Sequence, residues 1–208
     1  MLYYAERESA KQLLYVSFHA FVPSSFRAIL LLTQQQYNIR FMKKEEWFPL
    51  VDEEGNITGR ATRKECHEGS LLLHPVVHLH IFNQEGNLFL QKRATTKDIQ
   101  PEKWDTAIGG HIDFGEGVQQ ALIREAKEEL GITDFTPEFC YRYIWESPVE
   151  RELVYTYRTI YEGKMILDES ELDDGRFWSI LEIEEQIDKD VFTPNFEKEF
   201  SLIKNLLR

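Results

Sequence analysis

Runs of apolar residues alternate with short polar turns along most of the chain, and this pattern predicts strands with a few helices. From residue 48 onward, segments rich in β-branched and aromatic residues are separated by turns rich in Gly, Asn, Asp and Glu, as is typical of hairpins. The predicted strands are 48–51, 57–60, 74–82, 88–91, 139–145, 153–162 and 175–178. Turns at 52–56 and 83–87 join the first four of them in pairs.

Helical spacing of apolar residues occurs in a few segments. The clearest is 117–130, whose predicted buried stripe is Val118, Ala121, Leu122, Ala126 and Leu130. Gly131 follows at the position of a left-handed C-cap. Residues 181–187 and 195–207 are also predicted to be helical. Because strands and helices do not alternate strictly, we predict an α+β (broadly α/β) fold with a mixed central sheet flanked by helices.

The first 41 residues differ from the rest in charge and pattern. They hold four basic residues against two acidic ones, and their apolar runs are interrupted at 23–27. Neither run resembles a clean signal peptide. We interpret residues 1–41 as an N-terminal extension of uncertain status, ahead of a main domain at 42–208. An integral element and a membrane-associating segment are the alternatives.

Composition and charge narrow the classes of partner. The chain has 208 residues and a formal net charge of −12, so we expect no nucleic-acid polymer as a partner, since that usually requires a basic face. The two cysteines, Cys66 and Cys140, lie far apart, which predicts no disulfide and a reducing, cytoplasmic location. No apolar run reaches the roughly 18 residues of a membrane span.

The segment from Gly110 to Ile132 carries the strongest chemical signal. On the predicted helix, Glu125, Glu128 and Glu129 are three and four positions apart, so their carboxylates share one face and repel one another. A divalent cation would turn that repulsion into coordination, and clustered carboxylates suit Mg²⁺, with Mn²⁺ as the alternative ion. Arg124 is placed to orient a carboxylate through a bidentate contact.

The whole segment resembles the Nudix box. Glycine at 110 is followed after five residues by Glu116, and after seven more by Arg-Glu-hydrophobic-x-Glu-Glu-x-Gly-hydrophobic at 124–132. Every fixed position of that pattern is filled. The resemblance implies an α-β-α sandwich with a mixed central sheet. It also implies a hydrolase that cleaves a diphosphate linkage in a nucleoside diphosphate derivative or a related small diphosphate.

The same resemblance implies a role for each residue of the box. Glu128 and Glu129 would be metal ligands, and Glu125 would be a ligand or the base that activates water. Arg124 would orient Glu125, and Glu116 would support the loop or the metals. The carbonyl oxygen of Gly110 would be a further metal ligand. Glycines at 109, 110, 115 and 117 predict a tight loop in front of the helix.

The region 48–133 is also similar to the isopentenyl-diphosphate isomerase branch of the same superfamily. A His-x6-His pair and a third histidine hold a metal in that branch, together with a Glu-x-Glu pair, and an Arg-x3-Lys element contacts the diphosphate. The matching residues are His67, His74 and His111, then Glu150 and Glu152, then Arg93 and Lys97. The resemblance therefore implies a second metal site and a diphosphate-binding pair.

One departure from the isomerase pattern favours the hydrolase. The isomerase's catalytic cysteine would fall at Gly109, which has no thiol, and neither Cys66 nor Cys140 falls at the required place. The isomerase branch usually has a degraded Nudix box, whereas this one is complete. We therefore expect a hydrolase, with an isomerase-like enzyme and a non-catalytic nucleotide-binding sensor as alternatives. A homodimer is the default expectation for a small enzyme.

Other histidines and tryptophans receive ordinary structural interpretations. His78 and His80 alternate on a predicted strand and so share one face, where we expect packing or surface roles. Trp145 and Trp178 are expected in the core, as buried aromatic residues are common.

Overall fold

The computed structural model describes residues 45–97 and 99–204, so the predicted extension at 1–41 lies outside the described residues. Within these ranges the chain forms nine strands and four helices. The strands are β1 (Trp47–Val51), β2 (Ile57–Thr62), β3 (Leu73–Phe82), β4 (Leu88–Arg93), β5 (Trp104–Thr106), β6 (Ile108–His111), β7 (Glu138–Glu146), β8 (Arg151–Ile160) and β9 (Leu172–Trp178). The helices are α1 (Arg63–His67), α2 (Val118–Leu130), α3 (Ile180–Gln186) and α4 (Pro194–Ile203).

The central sheet is mixed, as predicted. Its seven strands include the path β5-β4-β3-β8-β7, and β6 pairs with β3 while β9 pairs with β4. The β3–β8 pairing is parallel over its full length, whereas β3 pairs antiparallel with both β4 and β6. Strands β1 and β2 form a separate antiparallel hairpin.

Helices cover both faces of the sheet and bury its apolar side chains. On one face, Val77, Leu79 and Ile81 of β3 pack in one apolar cluster with the buried stripe of α2. On the other face, Leu88 and Leu90 of β4 pack in a second cluster with side chains of α3 and α4. All ten positions of β3 are buried, as expected for a strand covered on both sides. The result is an α-β-α sandwich.

The glycines before α2 form a different structure from the predicted loop. Gly109 and Gly110 lie in strand β6, opposite His78 and Val77 of β3. Glycine is a weak strand former, so this strand depends on its pairing with β3 rather than on local propensity. Only the later part of the segment is a turn, where Gly115 has φ +93°. The prediction of a loop across Gly109 and Gly110 was wrong.

The helix predictions agree with the structure to within a few residues. Helix α2 ends at Gly131, whose φ of 66° is left-handed as predicted. The end of the predicted helix 195–207 lies partly outside the described residues. Helix α1 was missed, although Thr62 and Glu65 form the capping box that marks its start.

Cysteine and tryptophan positions test the remaining structural expectations. Cys66 and Cys140 are both free thiols, as predicted. Trp178 is buried in the core, which confirms one tryptophan prediction. Trp145 is only half-buried at the wall of a cavity, so its assignment to the core was wrong. None of the helices that the structure describes has the length and apolar character needed to cross a membrane.

Candidate active site

Arg124 of α2 is the centre of a network that fixes several carboxylates. Its Nε and Nη2 donate to the two oxygens of Glu116, each at 2.9 Å. Its Nη1 donates to Glu125 at 2.7 Å and to Glu128 at 3.1 Å, and Nη2 also donates to the carbonyl oxygen of His111 at 2.9 Å. Planar guanidinium suits such a multidentate role. We call Glu116, Glu125, Glu128 and Glu129 the glutamate cluster.

Two members of this cluster are directed at strand β6. The amide of Gly109 donates to Glu129 Oε2 at 3.4 Å, and Gln91 Nε2 on β4 lies 3.5 Å from the same oxygen. A Cβ atom at Gly110 would overlap the carboxylate of Glu125, so only glycine fits there. Glu128 differs from these two because its side chain is 59% exposed and faces Arg124.

Burial raises the carboxyl pKa values of both Glu125 and Glu129. Burial, together with the neighbouring Glu125 charge, raises the pKa of Glu129 to about 8. Burial also raises the pKa of Glu125, although Arg124 opposes that shift. By contrast, burial of Glu116 is outweighed by the hydrogen bonds and charge of Arg124 together with the backbone hydrogen bond from Asp113, so the pKa of Glu116 is lowered. Adjacent half-buried carboxylates with raised pKa values fit a bound divalent cation, which would favour their charged forms.

A second group of ionisable side chains gathers on the other side of β6. One ligand atom from each of His67, His74, His111 and Glu152 lies within 4.8 Å of all the others. The Nε2 atoms of His67 and His111 are 3.0 Å apart. Glu150 Oε2 lies 3.7 Å from His67 Nε2, so all five residues predicted for a second metal site are neighbours. We call these five residues the histidine cluster.

The electrostatics of the histidine cluster suit metal binding. Burial and the nearby charge of Arg63 lower the pKa of His67 to about 4, and the same effects lower the pKa of His111 well below its usual value. Burial and the Glu150 charge raise the pKa of Glu152 to about 8. His74 Nε2 is buried without a hydrogen-bond partner among the described residues. Neutral imidazoles are the form that binds metal, so the donor set fits a cation.

Strand β6 separates the two clusters. Side chains alternate between the faces of a strand, and the register places Gly109 and His111 on one face and Gly110 on the other. The histidine cluster therefore lies on the face of His111, and Glu125 occupies the face of Gly110. Arg124 connects them through the His111 carbonyl oxygen.

A cavity of about 390 Å³ lies against β6; its lining includes His67, His111, Glu150 and Glu152 of the histidine cluster and none of the four residues of the glutamate cluster. Its size falls in the range of small-molecule sites. Lining residues include Gly109, Gly110, Arg93 and Trp145. The Arg93 guanidinium donates to the carbonyl oxygen of Ile99 at 3.1 and 3.2 Å.

The two predicted diphosphate-binding residues differ in their placement. Arg93 lines the cavity, and Asp105 lies 3.5 Å from its Nη1. Lys97 forms an ion pair with Glu171 instead. Arg93 therefore lies at the cavity wall, whereas Lys97 is paired with Glu171 and does not line the cavity.

Sequence reasoning missed one buried carboxylate beneath this cavity. Glu199 of α4 is fully buried and lies 2.7 Å from Nδ1 of His78 and 3.4 Å from Nε2 of His80. Its position between Phe196 and Phe200 on the apolar face of a predicted helix was the available signal. For His78 and His80, packing and surface roles were both expected; both side chains are buried, which agrees with packing and not with a surface role.

Comparison with known proteins identifies the family. The family model for the NUDIX domain matches residues 72–196, which is more than half of the chain. The chain belongs to the Nudix family. This confirms the family prediction made from the box and, with it, the enzyme class of a Nudix pyrophosphohydrolase.

Curated Nudix relatives carry two kinds of name. An uncharacterized Nudix hydrolase of Clostridium acetobutylicum is 33% identical over 62% of this chain and 73% of its own length. An isopentenyl-diphosphate Delta-isomerase of Citrobacter koseri is 32% identical over 64% of this chain and 76% of its own length. Among solved structures, DR0079 from Deinococcus radiodurans has the same Nudix fold, with a TM-score of 0.66 and 20% identity over 78% of this chain and 100% of that one.

Proposed function

We propose that this Nudix enzyme is a Mg²⁺-dependent hydrolase that cleaves a diphosphate linkage in a nucleoside diphosphate derivative or a related small diphosphate. The observation that supports this proposal is the pair of Glu125 and Glu129. Glu125 is directed at Gly110 and Glu129 at Gly109, and the carboxyl pKa values of both are raised. Such a pair is costly without a cation and well suited to one.

The residues of the glutamate cluster have distinct roles in this proposal. Glu125 and Glu129, with Glu128 and the carbonyl oxygen of Gly110, would hold the divalent cation. When bound, the cation supplies charge neutralisation on the diphosphate and a more acidic water. Glu125 is the candidate base, because Arg124 holds one of its oxygens at 2.7 Å and so fixes the direction of the other. Glu116 acts through Arg124, to which it is bound twice.

The substrate would bind in the cavity beside β6. Arg93 supplies a cation on the cavity wall, and its guanidinium is held by Ile99 and Asp105. Lys97 belongs to the proposed diphosphate-binding pair as the second, more distant cation, because Glu171 competes for its ammonium group. The half-buried ring of Trp145 is available for apolar parts of the substrate.

We further propose that the histidine cluster holds a separate ion. Its donors are imidazole nitrogens and carboxylate oxygens, a set that suits Zn²⁺ or Mn²⁺ better than Mg²⁺. His67, His74, His111 and Glu152 would be ligands, with Glu150 as an additional or supporting carboxylate.

An isoprenoid diphosphate isomerase is the second candidate, favoured by the histidine cluster and by isomerase-named relatives. Its chemistry needs a group that moves a proton to carbon. Gly109 offers no side chain on the cavity wall. The thiols of Cys66 and Cys140 have their pKa raised to about 11, chiefly by burial, so they are poor proton carriers at neutral pH. These observations favour the hydrolase.

A substrate panel tests the choice. The purified protein would be incubated in Mg²⁺ with nucleoside triphosphates, sugar nucleotides, dinucleoside polyphosphates, coenzyme A and isopentenyl diphosphate, and products would be separated by chromatography. We expect cleavage of a phosphoanhydride in at least one compound and loss of that cleavage with EDTA. Formation of an allylic isomer from isopentenyl diphosphate would support the isomerase. Tight nucleotide binding without turnover would support a non-catalytic sensor.

A further inference from the structure

His78 and Glu199 form a carboxylate–imidazole pair that the proposed chemistry does not use. The Nδ1 atom of His78 lies 2.7 Å from Glu199 Oε2. Glu199 also accepts hydrogen bonds from the hydroxyl groups of Thr106, at 3.2 Å, and Thr156. This carboxylate is fully buried on α4, so its position is fixed by elements on three sides. Such an arrangement fixes the ring orientation and places the hydrogen on Nδ1.

The other nitrogen of the His78 ring is directed at the cavity. A Cβ atom at Gly109 would lie 3.5 Å from Nε2 and from Cδ2 of His78. Because Gly109 has no side chain, this edge of the ring borders the cavity that His78 helps to line, and the His78 side chain is 9% exposed. His80 also contacts Glu199, yet its side chain is 0% exposed and does not line the cavity.

Gly109 also brings His78 near the glutamate cluster. Its amide donates to Glu129 Oε2 at 3.4 Å, and a Cβ atom at this position would lie 3.5 Å from the His78 ring. A diphosphate held near Glu129 would therefore have an oxygen within reach of this ring edge. Arg93 adds a second cation to the same cavity wall.

We propose that His78 contacts the substrate, donating a hydrogen bond from Nε2 to a phosphoryl oxygen in the cavity, and that Glu199 positions it. This inference rests on the proposed function, since it assumes a diphosphate ligand beside Gly109. The donor form is supported by the pKa of His78: burial alone would lower it, but the charge and hydrogen bond of Glu199 raise it to about 9.

A direct binding experiment tests this role without turnover. Isothermal titration calorimetry would measure methylenediphosphonate, a diphosphate that cannot be hydrolysed, binding in Mg²⁺ to the full chain. His78→Asn keeps a group near Nδ1 for Glu199 but removes the cavity donor, and we expect at least about tenfold weaker binding. His80→Asn is the matched control, because it alters the same buried carboxylate without facing the cavity. We expect its affinity to stay within about threefold of the unsubstituted protein.

Equal losses in the two variants would contradict the proposal, as would a lack of binding to the unsubstituted protein. A measurement without substitution covers the case in which His78→Asn does not fold. In ¹H–¹⁵N spectra of the histidine rings, methylenediphosphonate should shift the Nε2 signal of His78 and leave that of His80 in place. An unchanged His78 signal at saturation would overturn the inference. Binding through His78 by a protein that hydrolyses nothing in the substrate panel would reject the proposed function and leave this inference standing.

Discussion

The glutamate cluster and the histidine cluster lie on opposite faces of the same short strand, β6, and they differ in their charge and in their type of donor atom. The glutamate cluster gathers negative charge, and a single guanidinium, Arg124, holds three of its carboxylates. The histidine cluster gathers imidazoles with lowered pKa values beside the carboxylates of Glu150 and Glu152. One set of donors suits a hard cation beside phosphates, and the other suits a more tightly bound transition metal.

Two glycines, Gly109 and Gly110, lie in the middle of strand β6 because side chains of other elements occupy the space beside them. Gly110 leaves room for Glu125 on one face, and Gly109 leaves the His78 ring uncovered on the other. Any side chain at 110 would displace a carboxylate of the candidate site. Because its central residues have no side chains, strand β6 leaves room for the Glu125 carboxylate on one face and for the His78 ring on the other.

The largest effect is expected from removing the charge at Glu129. In Glu129→Gln the amide keeps the size of the side chain but is a weak ligand, so we expect kcat to fall by at least about 100-fold. Steady-state kinetics in Mg²⁺ on a substrate from the panel measures this. Glu185→Gln on α3, outside the cavity, is the control. Full turnover in Glu129→Gln would contradict the role of the glutamate cluster.

Adding one methyl group at Gly110 is expected to cost about 100-fold in kcat, since small displacements of a catalytic group have effects of that size. The new Cβ would overlap the Glu125 carboxylate and force it to move. Gly109→Ala is the matched comparison, because its Cβ would lie 3.5 Å from the His78 ring and not against Glu125, so we expect a higher KM with a smaller change in kcat. Equal reductions of kcat in the two variants would contradict the claim that the catalytic carboxylate, Glu125, lies on the Gly110 face of β6.

The two clusters should also separate in metal binding. His67→Gln removes an imidazole of the histidine cluster, and we expect its affinity for Zn²⁺ to fall at least about tenfold. Competition with a chromogenic chelator measures that affinity. Glu129→Gln should retain tight Zn²⁺ binding while losing turnover. Loss of Zn²⁺ affinity in both variants would mean that the clusters form one site.

The smallest effect concerns stability and pH. The pKa of His78 is raised from 6.5 to about 9 in the folded protein, because Glu199 outweighs the opposing effect of burial; Asp105 and Glu152 add to the shift. A raised folded-state pKa gives stability that is full below pH 6.5 and lost as pH rises through 9. The stability difference between the unsubstituted protein and His78→Asn should therefore shrink by on the order of 2 kcal/mol.

Urea unfolding at pH 6, 7.5 and 9.5 measures this difference. Using the difference removes contributions from groups that do not interact with His78, such as Glu129, which titrates in both proteins. A difference that stays constant over this range would mean that the His78–Glu199 pair is not charged in the folded state.

Local signals in the sequence predicted some elements and missed others for physical reasons. Helix α2 was predictable because its apolar stripe and Gly131 act within one segment. Strand β6 could not be predicted, because Gly109 and Gly110 have low strand propensity and form a strand by pairing with β3. Trp145 is half-buried where it lines the cavity together with the loop at 147–150, and no periodicity in the sequence describes that loop.

The candidate site also has features that the sequence predicted and features that it could not predict. The spacing within the box predicted which glutamates share a helix face, because 3.6 residues per turn fixes that geometry. It could not predict that Glu128 faces solvent and Arg124 while Glu129 faces β6. Glu199 was missed because its partners, His78 and Thr156, are distant in sequence and meet it only through the packing of α4 on the sheet.

Hydrolysis in water enriched in ¹⁸O tests the central claim most directly. A panel substrate and isopentenyl diphosphate would each be incubated with the protein and Mg²⁺, and the products would be analysed by mass spectrometry. For a hydrolase we expect one ¹⁸O atom in one product of the panel substrate, and no such product from Glu129→Gln. Conversion of isopentenyl diphosphate to its allylic isomer, without incorporation of ¹⁸O in any compound, would contradict it.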